Sequence, residues 1–163
     1  MNTLPILVKP YIREYFLHKQ NLGPEPIIER RHWLGRLISS IISFHPLDTN
    51  ELPDDYRLPS NIAKLVTLNV EVTFPIKIHQ IDMHHMLQMG NALESMFEQH
   101  LSFYAKGYFS YVVNYQGAVN KFFTEYAISE ELISKEAAYK VVERDYKIEK
   151  DKKDALIKTF VGF

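Results

Sequence analysis

"LVTLNVEVTFPIKI", residues 65–78, is the stretch that decides the fold. Val66, Leu68, Val70, Val72 and Phe74 alternate with Thr67, Asn69, Glu71 and Thr73. A period of two sends successive side chains to opposite faces of a strand, so residues 65–74 read as a strand with one buried and one wet face. Pro75 has no N–H for a ladder, so the strand is an edge there or ends there. One strand cannot stand alone. Its partner must come from "IIER" at 27–30, from "LPILV" at 4–8, or from a second copy of the chain.

On either side of this segment the period changes to that of a helix. "KPYIREYFLHKQ", 9–20, is a short helix with Ile12 and Phe16 on one face and Pro10 in its first turn. "RRHWLGRLISSIISF", 30–44, spaces Trp33, Leu34, Leu37, Ile38, Ile41 and Ile42 as a second helix. Asp82 caps a long helix over 83–112, whose apolar stripe runs from Met83 through Met86, Leu87, Gly90, Leu93, Phe97 and Leu101 to Tyr104 and Tyr108. At its full length it would reach roughly 45 Å, more than one small core can cover. Either it breaks near Gly107 or part of the stripe packs on a partner. A helix over 116–127 follows. Ser129 caps a short helical turn, and Ser134 opens a last helix from Lys135 to beyond Tyr146.

These elements predict an α+β protein, mostly helical. It has a small sheet around the strand near 65–74, a long central helix, and a C-terminal tri-helical segment of helix-turn-helix-like pattern. Residues 1–44 form a small N-terminal helical unit. "HPLDTNELPDDYRLPS", 45–60, holds three prolines and four acids and reads as a linker or a long loop. Residues 61–163 hold the rest, or the whole chain is one compact domain.

The chain has 163 residues, 46% of them hydrophobic, which is enough for a core. Its 19 basic and 20 acidic side chains nearly cancel, so any nucleic-acid contact has to come from a local patch. With no cysteine there is no disulfide, thiolate metal site or cysteine nucleophile, as in a cytoplasmic protein. No secretory leader and no membrane span are expected.

Two stretches are candidates for a DNA contact. On the last helix Lys135, Tyr139, Lys140, Arg144 and Lys147 point outward, with Ala127, Ala137 and Ala138 available for close helix contact. Glu136, Glu143 and Asp145 share that helix and Glu130 and Glu131 precede it; each repels phosphate, and an ordinary solvated helix face would look the same. In "ERRHWLGR", Arg30, Arg31 and Arg36 surround Trp33, which can track a backbone and stack on a base, or can simply be core. The aromatic helix ending in "YAISEELISKEAAYKVVERDY", 126–146, resembles the C-terminal part of small bacterial proteins carried by phages and mobile elements. The likeness spans residues 120–147, implies a DNA-associated role, and carries over no catalytic residue.

Other chemistry is thinly represented. His79, His84, His85 and His100 lack the spacing of a metal motif. "PDDY" at 53–56 with Glu71 resembles the acidic spacing of restriction-type nucleases, but Thr73 stands where their lysine belongs. No cofactor motif is present. The sequence therefore predicts a non-enzymatic DNA-associated or regulatory protein, a homodimer. The alternatives are an adaptor working by helix-mediated protein contacts and, third, a metal-dependent nuclease.

Overall fold

The computed structural model describes residues 2–44, 62–76, 81–109 and 114–161, with backbone alone at 44, 109, 149 and 152–161. The 45–60 segment, with its "PDDY" motif, lies outside the described residues. The elements run β1 (Asn2–Val8), α1 (Pro10–Leu17), β2 (Ile27–Ile28), α2 (Trp33–Phe44), a 3-10 turn (Ile62–Lys64), β3 (Val66–Val72), α3 (Met83–Phe109), α4 (Tyr115–Glu125) and α5 (Lys135–Val161). This is the mostly helical α+β architecture that the periodicities predict.

β3 finds its partners on both sides within the chain, and the sheet order is β1-β3-β2. β1 is antiparallel to it, with Leu4 opposite Val70 and Ile6 opposite Leu68. β2 is parallel, with Ile28 opposite Val72. Leu4, Ile6, Val8, Ile28, Leu68, Val70 and Val72 line the buried face, while Thr3, Thr67, Asn69 and Glu71 are exposed. Val66, expected in the core, is only half-buried because it begins the strand at the rim of the sheet, opposite Val8. The strand stops three residues before Pro75, yet Phe74 remains buried.

The chain divides into two compact units, residues 1–95 and 96–163, and α3 passes from one into the other without a break. In the first unit Tyr11, Ile12, Tyr15 and Phe16 of α1, Leu34 and Ile38 of α2, and Leu87, Met89 and Leu93 of α3 are buried with the inner face of the sheet. Gly90 permits the close approach: a Cβ there would lie 1.9 Å from the Leu7 carbonyl oxygen. Lys9 pairs with Glu94, which also accepts from the Tyr11 hydroxyl at 3.1 Å. Asp82 caps α3, its Oδ1 accepting from the His85 backbone N–H at 2.9 Å.

The second unit is built on aromatics. The Phe122 ring meets Phe97, His100 and Tyr104 of α3 at 5.8, 5.5 and 5.2 Å, each close to edge-on. Leu101, Ala105, Val119, Phe123, Ala138 and Val142 complete the core. The length of α3 thus has a cause inside one chain. The helix continues through Gly107, and its stripe lies in the core of one unit before Ser95 and of the other after it. The two features that pointed to a dimer, an unpartnered strand and an overlong stripe, both have their answer within the chain.

Candidate nucleic-acid interface

α4 ends in a Schellman motif. The Ile128 N–H donates to the Phe123 carbonyl at 2.9 Å and the Ala127 N–H to Thr124 at 3.4 Å, with Ala127 in the left-handed region at φ 52°. The segment expected as a short helix after Ser129 is a turn, closed by the Leu132 N–H on the Ser129 carbonyl. Ser134 then caps α5, its Oγ accepting from the Ala137 N–H at 3.1 Å. Residues 126–134 separate the two helices. A DNA-reading helix pair joins its helices by a turn of about three or four residues, so this connection is longer.

Lys135, Lys140 and Arg144 of α5 have counter-ions close by. Lys135 pairs with Glu130. Lys140 lies 3.0 Å from Glu136, one turn earlier. Arg144 reaches Glu98 of α3 at 2.7 Å and Asp145 at 3.8 Å; the Glu98 hydrogen bond holds the guanidinium pKa above its usual value. Tyr139 is half-buried, its ring 6.4 Å from that of Tyr115, and it lines an α4–α5 groove of about 340 Å³ with Gln116, Val119 and Asn120. Lys147 is exposed. The carboxylates Glu136 and Asp145 are visible as partners in the sequence. Glu98, 46 residues from Arg144, is not, because only the packing of α3 and α5 brings it there.

The arginines of the first unit stand differently. Arg30, Arg31 and Arg36 are all exposed and make no ion pair among the described residues; one carboxylate, Glu29, is exposed beside them. The chain is held tightly over the start of α2. A Cβ on Gly35 would sit 2.2 Å from the Glu29 carbonyl oxygen and 3.1 Å from the Arg30 Cα, so only glycine lets the two arginines before the helix lie against its first turn. The His32 N–H donates to the Glu29 carbonyl at 3.0 Å, and the His32 Nδ1 accepts from the Leu34 N–H at 3.2 Å. α2 has no acid in its first turn, where one would favour the helix dipole, so its positive end adds to the arginines. Trp33 packs at 6.0 Å on Phe16 and 5.3 Å from His32, yet remains 37% exposed.

The histidines serve the helices they sit on. His85 is buried, with Nδ1 2.6 Å from Asp82 Oδ1. Burial works to raise the Asp82 pKa, but the hydrogen bonds and charge of His85 outweigh it and leave the carboxyl below its usual value. His84 lies 2.8 Å from Gln88. His100 is set beside Phe122 and Tyr126, and burial lowers its pKa against the opposing pull of Glu125. Tyr104 donates to Glu125 at 2.6 Å; burial, then that hydrogen bond, push its pKa up. Among the described residues no three metal-ligating side chains converge. His79 lies outside them. Glu71 is exposed on the outer face of the sheet, lining a shallow hollow with Glu25, Thr3 and Asn69. No described helix is long and apolar enough to cross a membrane. No family model, curated protein or solved structure matches this chain.

Proposed function

We propose that this is a non-enzymatic nucleic-acid-associated protein whose contact is made by Arg30, Arg31 and Arg36. One observation carries the reading: three exposed arginines without an ion-pair partner among the described residues, held by a close backbone crossing around an exposed tryptophan. Binding by α5 is the weaker form of the proposal, since Lys135, Lys140 and Arg144 must first leave their carboxylates. DNA is the expected partner and the cytoplasm the expected place. The phage and mobile-element association rests on the resemblance of residues 120–147 alone. The test is anisotropy with mixed-sequence DNA from about 50 mM salt upward, where screening is least. An Arg30→Ala, Arg31→Ala, Arg36→Ala variant should flatten the log–log salt slope by up to about 2.7, at about 0.9 per phosphate contact. Binding that is absent, or unchanged in that variant, defeats the reading.

A second reading is helix-mediated protein contact, beginning with a homodimer. Phe103 is 67% exposed on α3, and Met96, two turns earlier on the same face, is 38% exposed. Large apolar side chains grouped on one helix face are a usual mark of an interface. Sedimentation of a Phe103→Glu variant tests it: loss of a dimer seen in the wild type supports the reading, and a wild type that is monomeric at high concentration removes it.

A further inference from the structure

We infer that Trp33 is a stacking platform and that the surface around it takes an unpaired base flanked by phosphates. The inference rests on the nucleic-acid reading above and narrows it to a single strand. Duplex DNA keeps its base faces inside the stack, so a flat indole at the surface gains nothing from it beyond van der Waals contact. A single strand offers a π-face at every nucleotide, and aromatic side chains next to a cationic track are the common way to hold one.

The geometry around Trp33 suits this use. Phe16 and His32 support the indole, with ring centroids 6.0 and 5.3 Å away, which fixes its plane and lowers the entropy lost on binding. Trp33 keeps 37% of its surface exposed, unlike Leu34 and Ile38 of the same helix, which are fully buried. Arg30 and Arg31 precede the ring and Arg36 follows one turn after it, so cations flank the platform on both sides in sequence. A core tryptophan would be covered, and one serving only to pack α1 on α2 would not need about it three arginines that make no ion pair among the described residues.

The chain contains a single tryptophan, so its intrinsic fluorescence reports this position alone. The full chain would be titrated with dT12, U12 and a 12-base-pair duplex at about 50 mM salt. Quenching of the emission by the single strands, and affinity for them on the order of tenfold above the duplex, are expected from one stacked base. Trp33→Phe should keep most of that preference, and Trp33→Ala should abolish it while leaving duplex binding in place. A preference for dT12 over U12, or the reverse, supports the platform either way. Equal binding of duplex and single strands without quenching overturns the stacking inference but leaves the arginine reading standing. No binding to any of the three overturns both. A Trp33→Ala variant that fails to fold leaves the quenching of the wild type and the Trp33→Phe preference to decide.

Discussion

The two basic stretches of the chain look alike on paper and differ in the fold. On α5, Lys135, Lys140 and Arg144 stand next to Glu130, Glu136 and Glu98. Around the start of α2, Arg30, Arg31 and Arg36 have no such partner among the described residues. A cation with a carboxylate at 3 Å presents a dipole, whose field fades quickly beyond a Debye length of about 8 Å. An unpaired guanidinium keeps its full charge toward an approaching phosphate. Counting lysines and arginines therefore ranks α5 first, whereas their counter-ions rank the α2 stretch first.

The largest test of this contrast is Gly35. Gly35→Ala puts a methyl group into the Glu29 carbonyl, and overpacking against backbone should cost on the order of 3 kcal/mol by denaturant unfolding. It should also displace Arg30 and weaken DNA binding. Gly107→Ala is the control. Among the described residues nothing lies within 4 Å of its added methyl, so it should be neutral or raise stability by up to about 1 kcal/mol.

Next in size is conversion of α5 into the other kind of surface. Glu98→Gln, Glu130→Gln, Glu136→Gln and Asp145→Asn together free Lys135, Lys140 and Arg144. The salt slope of DNA binding should steepen by up to about 2.7. Each lost surface pair should cost less than about 1 kcal/mol, since exposed ion pairs contribute little. An unchanged slope would show that the carboxylates are not what silences α5.

The connection into α5 gives a smaller effect of opposite sign. Ala127 carries a left-handed backbone that glycine adopts freely, so Ala127→Gly should raise stability by about 1 kcal/mol in thermal or chemical unfolding. A loss would mean that the Schellman geometry is not formed.

The smallest effects separate the two units by pH. The His100 pKa is lowered in the folded chain, so the unfolded chain binds the proton first, near pH 6.5. Stability in the second unit is then complete above about pH 6.5 and declines as pH falls toward the folded value. His100→Gln should remove this slope, in spite of Glu125, the acidic group facing it. Asp82 is also lowered, but from the carboxylate range, so its contribution to the first unit is complete above about pH 4 and lost only below that. A single common acid transition would merge what these two groups should keep apart.

Much of the fold was legible in the sequence because local rules set it. The alternation in β3, the Asp82 and Ser134 caps and the end of the aromatic helix near Tyr126 depend on neighbours a few residues away. The candidate site was legible only in part. Arg30, Arg31, Arg36 and Trp33 could be named, but whether each was paired or covered could not. Glu136 beside Lys140 follows from helix spacing, whereas Glu98 beside Arg144 does not.

The sequence by itself determined which segments are helix and strand, which faces are apolar, and that no cysteine chemistry is available. These follow from periodicity and composition, which need no knowledge of distant neighbours. The tertiary structure alone decided that β3 lies between β1 and β2, that α3 serves two cores, and that Gly35 and Gly90 are sites of close backbone approach. It also decided which cations are neutralised. Each of these depends on groups far apart in the chain, and their meeting is settled by packing, to which local pattern is blind.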